Sequence, residues 1–285
     1  MSKVSPHTLH DKVPMPQLGL GVFKVRDEGA EAAVATAIEA GYRSIDTAAY
    51  YRNERGVGRA VNQSSVSRDE LFVTTKLWNS DHGYQAALDA FEASLERLGL
   101  DYIDLYLIHW PLPGKQLHVE TWRALEKLYE DGRVRAIGVS NFKQSQLDDL
   151  RESSGITPAI NQVELHPWLQ QEPLRQYHDQ HGIITQAWSP LGQGALLDDQ
   201  TLQSIGKAHG KTIAQVILRW HLQLDNNVIP KSVTPSRIAE NIDVFDFELS
   251  AEDLSAIAAL DQGTRTGPDP EVFGADPDQV FPKPK

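Results

Sequence analysis

Between about residue 17 and residue 260, short apolar runs of strand length alternate with longer stretches where apolar residues recur every three or four positions. The short runs predict eight strands: Gln17–Leu20, Ser44–Asp46, Leu71–Lys76, Ile103–His109, Val134–Val139, Ala159–Val163, Ile183–Ala187 and Val228–Ile229. The longer stretches predict helices over Glu28–Ala40, ending at Gly41, and over Tyr84–Leu98, ending at Gly99. Further helices are expected over Trp122–Tyr129, Thr212–Leu224 and Ser250–Leu260, the last two opening on a hydroxyl side chain that can cap them. Eight such alternations with no break in composition predict one (β/α)8 barrel of the TIM type over residues 1–262. The rival doubly wound sheet normally carries a Gly-x-Gly-x-x-Gly turn after its first strand. Here Gly19-Leu20-Gly21 runs into Val22, Phe23 and Lys24, without the third glycine. Residues 263–285, rich in Pro, Gly and Asp, read as an extended tail, ordered where it packs on something.

Composition narrows the class of partner. Of 285 residues, 27 are Lys or Arg and 39 Asp or Glu, giving a formal net charge of −12. That opposes non-specific binding to nucleic acid or anionic membranes, while leaving room for a locally basic pocket. With no cysteine there is no disulfide framework and no thiolate metal site, which fits a cytoplasmic setting. The stretch Met1 to His10 lacks an apolar run of the kind that opens a secretory signal, and no run is long enough to span a bilayer. His166-Pro167 and His178-Asp179-Gln180-His181 lack convincing metal-ligand spacing, and no His-Glu-x-x-His occurs, so no metal is expected.

Chemistry-bearing residues gather at the carboxyl ends of the predicted strands: Asp46, Lys76, His109, Ser140-Asn141, Gln162, Ser189 and Lys231. In a barrel these ends converge on the rim where active sites are built. Taken singly, each has an ordinary alternative. Lys76 could be an edge lysine reaching water, Asp46 a turn carboxylate, His109 a packed strand histidine, and Tyr50-Tyr51 mere packing. A buried lysine, however, needs a partner, and Asp46 is a candidate. A tyrosine beside a lysine is expected to have its phenol pKa lowered by the cation, which makes it a better general acid.

Several ordered segments go further. They are Gly41-Tyr42-Arg43-Ser44-Ile45-Asp46-Thr47-Ala48, Tyr51-Arg52-Asn53-Glu54, Thr75-Lys76-Leu77-Trp78, Leu107-Ile108-His109-Trp110-Pro111, Gly138-Val139-Ser140-Asn141-Phe142, Asn161-Gln162-Val163-Glu164 and Ile229-Pro230-Lys231-Ser232. Over residues 8 to 262 the chain resembles the aldo-keto reductase family, and within it bacterial reductases of 2,5-diketo-D-gluconate or of methylglyoxal and related 2-oxoaldehydes. The resemblance implies a catalytic tetrad of Asp46, Tyr51, Lys76 and His109, with Tyr51 as proton donor and Tyr50 only its neighbour. It implies NADPH as cofactor and a small carbonyl compound as substrate, and a monomer is expected. Ser140, Asn141 and Gln162 resemble the carboxamide-binding set. Trp188, where many members have tyrosine, would stack on the nicotinamide. Gly21, Val22, Ser189, Leu191 and Gly192 would lie along the cofactor, and Gly192-Gln193-Gly194 would allow close backbone approach to pyrophosphate. Thr234 reads as the N-cap and Pro235 as the first residue of a helix. With Lys231, Ser232, Val233 and Arg237 around it, this helix start would grip the 2′-phosphate, and Glu240 and Asn241 would meet the adenine. Phe23, Trp78 and Trp110 would line the substrate pocket.

Other readings compete. Gly138-Val139-Ser140-Asn141-Phe142 resembles a nucleophile elbow, but Phe142 replaces the final glycine, which argues against a serine hydrolase. A cofactor-binding sensor with little turnover would keep the fold but has no need of the four tetrad residues together. A barrel lyase would use Lys76 as a Schiff-base nucleophile and could be trapped by borohydride.

Overall fold

A computed structural model describes residues 6–276 and 278–281. The outer parts of the two predicted segments, residues 1–5, 277 and 282–285, lie outside the described residues. Eight parallel strands form one sheet in chain order: β1 Leu20–Gly21, β2 Ser44–Asp46, β3 Phe72–Leu77, β4 Ile103–Ile108, β5 Val134–Ser140, β6 Ile160–Glu164, β7 Ile184–Trp188 and β8 Asn227–Val228. The sheet closes on itself. Leu18 bridges Val228 and Gly21 bridges Lys231, both in parallel, and the Val228 amide donates to the Gln17 carbonyl at 2.7 Å. The predicted first strand therefore serves two neighbours, pairing with β8 through Gln17–Gly19 and with β2 through Leu20–Gly21. A short antiparallel hairpin, His7–Thr8 with Pro14–Met15, was not visible as a strand pair in the sequence pattern.

Among the described residues ten α-helices follow in chain order: α1 Asp27–Glu39, α2 Glu54–Gln63, α3 Tyr84–Leu98, α4 His118–Glu130, α5 Gln144–Ser153, α6 Glu172–His181, α7 Gln200–His209, α8 Ile213–Gln223, α9 Pro235–Ile242 and α10 Ala251–Ala258. Their ends obey local chemistry. Gly99 stops α3 in the left-handed conformation, and Thr212 and Ser250 open α8 and α10 with capping boxes. The expected helix over Trp122–Tyr129 begins a turn earlier, at His118. There the Thr121 hydroxyl bonds back to the Leu117 carbonyl and receives the Gly83 amide.

Strand alternation explains the interior. Phe72, Thr74 and Lys76 share one face of β3, and Leu105 and Leu107 share one face of β4, leading to His109 just beyond the strand. Phe72, Leu105, Leu107, Ala136 and Ile160 pack with Leu9, Val13 and Met15 from the hairpin segment in a compact apolar cluster. Toward the carboxyl ends the same inward positions become polar: Asp46, Lys76, Gln162 and Gln186, all buried. The alternate faces, with Val73, Tyr106, Ile108, Ile137 and Val139, join the larger core beneath the helices.

After α10 the chain returns across the mouth. The Thr266 amide donates to Glu164 Oε1 at 2.6 Å, at the end of β6. Further on, the Gly114 amide donates to the Gly274 carbonyl at 3.0 Å, Phe273 lies 4.5 Å from the Trp110 ring, and Phe281 lies 6.0 Å from Trp78. The tail is thus a strap running from β6 past the loop after β4 to the end of β3.

The tightest helix contacts rest on glycine. A Cβ on Gly58 in α2 would lie 1.8 Å from the Leu98 carbonyl oxygen, and backbone cannot yield as a flexible side chain can. Gly58→Ala is therefore expected to lose at least about 1–3 kcal/mol through overpacking. At about 2–4 °C per kcal/mol this lowers the thermal midpoint by several degrees. Gly155→Ala, where an added Cβ meets nothing within 4 Å, should leave the midpoint within about a degree. Equal midpoints for the two variants by calorimetry would refute the packing argument.

Candidate active site

Lys76 enters the barrel because β3 alternation points it inward, and it is fully buried. Its Nζ donates to Asp46 Oδ1 at 2.5 Å and to the Thr47 carbonyl at 2.9 Å. The second Asp46 oxygen accepts from Gln162 Nε2 at 2.8 Å. Burial pushes the Lys76 ammonium down and the Asp46 carboxyl up, and in each case the partner's charge opposes the shift. Removing either partner would strand a charge in the barrel.

Tyr51 ends a single 3₁₀ turn, Ala49–Tyr51, which Arg52 leaves in the left-handed conformation. That turn sends the two tyrosines apart. Tyr50 is half exposed and stacks on Trp78 at 3.8 Å between centroids. Tyr51 turns its ring toward the barrel, 5.2 Å from Lys76 Nζ and 5.6 Å from the His109 ring. Burial, then the Asp46 charge, hold its phenol well above the ordinary tyrosine range. This corrects the expectation that the lysine cation lowers it. Lys76 commits two of its donors to Asp46 and Thr47, and its charge is largely answered by the carboxylate. His109 is buried beside Trp78, and burial, then the Lys76 charge, hold its imidazole well below the usual range, so the ring is neutral.

Beside this group, Asn141 adopts φ +66°, a conformation asparagine tolerates. Its Nδ2 donates to the His109 carbonyl and to Ser140 Oγ, both at 3.0 Å, while its Oδ1 accepts from Trp188 Nε1 at 2.8 Å. Ser140 Oγ donates to the Gln162 carbonyl at 2.8 Å. Ser140, Asn141, Gln162 and Trp188 are thus drawn into one connected set. The strap lies against it: a Cβ on Gly267 would fall 2.4 Å from the Trp188 ring. Beyond Trp188 the backbone takes four left-handed residues, Ser189, Gly192, Gln193 and Gly194, with Leu191 half-buried between them. Gly194 has open space where a Cβ would stand.

At the closing seam, Gly21 comes so near β8 that a Cβ would sit 3.0 Å from the Ile229 carbonyl oxygen. Val22 is buried, and Phe23 is exposed with its ring 5.0 Å from Tyr51. Lys231 and Arg237 are exposed on either side of the α9 start. Thr234 stands at the N-cap, but its side chain makes no capping bond; instead Ser232 Oγ accepts the Thr234 amide at 3.2 Å. Val233 is exposed and Asn241 buried. Glu240 is turned toward α8, where Oε1 accepts from Thr212 Oγ1 at 2.8 Å. Trp78 and Trp110 are buried at the mouth, with Phe273 and Phe281 of the strap packed against them.

Sequence reasoning passed over three contributors. The Thr47 carbonyl is invisible because any residue supplies one. Glu164 collects Thr266 N and Oγ1 and Gly267 N at its Oε1, and its only signal was an acid at a strand end. Gln186 is a lone amide in the strand Ile184–Trp188. Among the described residues, no cluster of three His, Asp or Glu side chains could hold a metal, and no helix is long and apolar enough to cross a membrane.

The aldo/keto reductase family model matches residues 17–262. The chain is 57% identical over 265 residues to glyoxal reductase of Bacillus subtilis (strain 168), covering 92% of this chain and 95% of that one. It is 51% identical over 268 residues to methylglyoxal reductase DkgA of Escherichia coli (strain K12), covering 93% and 97%. A Bombyx mori aldo-keto reductase solved in complex with NADP is 38% identical, with a TM-score of 0.87 over 94% of this chain and 96% of that one. On these matches the chain belongs to the aldo/keto reductase family.

Proposed function

We propose that this aldo-keto reductase uses NADPH to reduce the carbonyl of small aldehydes, 2-oxoaldehydes or keto sugars, with Tyr51 as the proton donor. One observation carries the reading: Tyr51, His109 and the Lys76–Asp46 pair meet at one place at the carboxyl mouth of the barrel. The relatives named glyoxal reductase and methylglyoxal reductase favour 2-oxoaldehydes among the candidates.

The chain's own features fit the cofactor. Two exposed cations flank a helix start whose N-cap side chain leaves the first-turn amides to another acceptor. The left-handed run through Gly192 and Gly194 opens backbone for a pyrophosphate. Ser140, Asn141 and Gln162 offer amide and hydroxyl groups beside the Trp188 ring. In this reading Lys231, Ser232, Val233 and Arg237 hold the 2′-phosphate, Glu240 and Asn241 the adenine, and Gly21, Val22, Ser189, Leu191 and Gly192 the length between. When bound, the reduced nicotinamide supplies hydride to the carbonyl carbon. Tyr51 gives its proton to the carbonyl oxygen as negative charge builds there. A high ground-state pKa keeps that proton in place until the oxygen becomes basic. Lys76, held in position by Asp46, lends the phenolate what charge the carboxylate leaves unanswered. His109, neutral, orients the carbonyl by hydrogen bonding. Phe23, Trp78 and Trp110 wall the substrate side. A Schiff-base lyase at Lys76 is disfavoured, because Nζ is committed to Asp46 and Thr47.

Tyr51→Phe should remove most NADPH-dependent reduction of methylglyoxal, at least about a hundredfold for a lost general acid, while fluorescence titration shows unchanged NADPH affinity. Tyr50→Phe, which keeps the stack on Trp78, should change the rate little. Equal losses from both would mean that the proton comes from elsewhere. Because Tyr51 is held high and His109 low, neither titrates near neutrality, so the rate at saturating substrate should stay flat from about pH 6 to pH 9. A step near the ordinary histidine value would assign a titrating role to His109.

Cofactor preference is measured separately. Charge-assisted hydrogen bonds from Lys231 and Arg237 are worth roughly 1.5–3 kcal/mol each, less for charges sharing one solvated site. NADPH should therefore bind at least about tenfold tighter than NADH at low salt, with the gap narrowing as salt rises. Arg237→Ala should weaken NADPH and spare NADH. Equal affinities in the unmodified protein would remove the 2′-phosphate assignment.

A further inference from the structure

Three amides stand side by side across the last strands of the barrel. Gln162 on β6 pairs in register with Gln186 on β7, and Gln186 pairs in register with Asn227 on β8. All three are buried. Asn227 Nδ2 donates to the Pro16 carbonyl at 2.7 Å. Gln186 Nε2 donates to Asn227 Oδ1 at 2.5 Å, and Gln162 Nε2 donates to Gln186 Oε1 at 2.6 Å. The same Gln162 nitrogen donates to Asp46 Oδ2.

An isolated amide can turn over by half a revolution and exchange its oxygen for its nitrogen. This row cannot. Its two ends are fixed acceptors, the Pro16 backbone carbonyl and the Asp46 carboxylate, and neither can donate. The Pro16 carbonyl forces the Asn227 NH2 toward it, and so turns Asn227 Oδ1 toward Gln186. That sets the Gln186 NH2 toward Asn227 and its oxygen toward Gln162. Gln162 must then spend both amide protons, one on Gln186 and one on Asp46. Its carbonyl oxygen is the end that remains for a ligand.

We infer that Gln186 and Asn227 are positioning residues that hold Gln162 with its side-chain oxygen presented to the NH2 of the nicotinamide carboxamide. The inference rests on the proposed assignment of Gln162 to that carboxamide and extends it to two fully buried residues beside it. Without Gln186 the Gln162 amide keeps only Asp46 as acceptor, so it can swing about that single bond and its oxygen is no longer held in one direction. Burial makes the orientation matter, because a misdirected amide in the barrel has no water to satisfy it.

The test is equilibrium binding to the intact cofactor-free protein, read by fluorescence. NADPH is compared with its 3-acetylpyridine analogue, in which a methyl group replaces the carboxamide NH2. Gln186→Met should weaken NADPH about three- to tenfold, the range of one hydrogen bond, and leave the analogue's affinity unchanged. Asn227→Leu, which removes the far anchor while keeping Gln186, should do the same to a smaller extent, and serves if the Met variant does not fold. If Gln186→Met weakens both ligands alike, Gln186 supports the barrel and orients nothing, and the inference fails. It also fails if neither ligand is affected. If the unmodified protein binds both ligands equally, the assignment of Gln162 to the carboxamide fails first, and a distinct result marks that failure.

Discussion

A lysine ammonium with no exposure to water must be answered within the protein, and that requirement organises the mouth of this barrel. Lys76 can be buried because Asp46 stands 2.5 Å away on the neighbouring strand and the Thr47 carbonyl takes a second proton. Asp46 in turn needs more than one donor, and Gln162 reaches it from β6. Such a pair is poor value as stabilisation, since desolvation offsets most of the Coulomb attraction. Its effect is positional. Burial first, and these fixed charges second, drive the proton affinities of the Tyr51 and His109 rings in opposite directions.

The strands and the better helices were legible because their signals are local. Tyr84–Leu98 and Ser44–Asp46 were bounded to the residue, since alternation, a terminal glycine and the next polar residue all agree there. The gathering of Asp46, Lys76, His109 and Gln162 was legible for a related reason: parallel strands bring their carboxyl ends to one rim whatever the loops do. What was not legible depends on partners distant in sequence. The hairpin at His7–Thr8 pairs only two residues and carries no alternation. The Gln186 amide matters only through Gln162 and Asn227, which register alone brings beside it. The tyrosine pKa was misjudged because proximity to a cation was weighed without the carboxylate that already answers that cation.

The C-terminal segment shows the same dependence. Its composition suggests an extended tail ordered where it packs, and it is pinned at Glu164 by two backbone amides and a hydroxyl and seated by Phe273 and Phe281 on the two tryptophans of the mouth. The mouth is therefore walled partly by residues that contribute nothing to the barrel itself. A barrel supplies the rim, and segments laid over it can change without disturbing the eight strands.

The seam between β1 and β8 has a consequence for synthesis of the chain. The residues that meet there, Leu18 with Val228 and Gly21 with Lys231, are separated by some two hundred positions. During translation the first strand waits on the order of ten seconds or more before its neighbour emerges. An unpaired strand edge in that interval invites pairing with another nascent chain. Here both seam strands are only two residues long, so each presents few unpaired backbone groups to a foreign strand. Short closing strands of this kind are one of the ways in which an exposed sheet edge is kept from recruiting another chain.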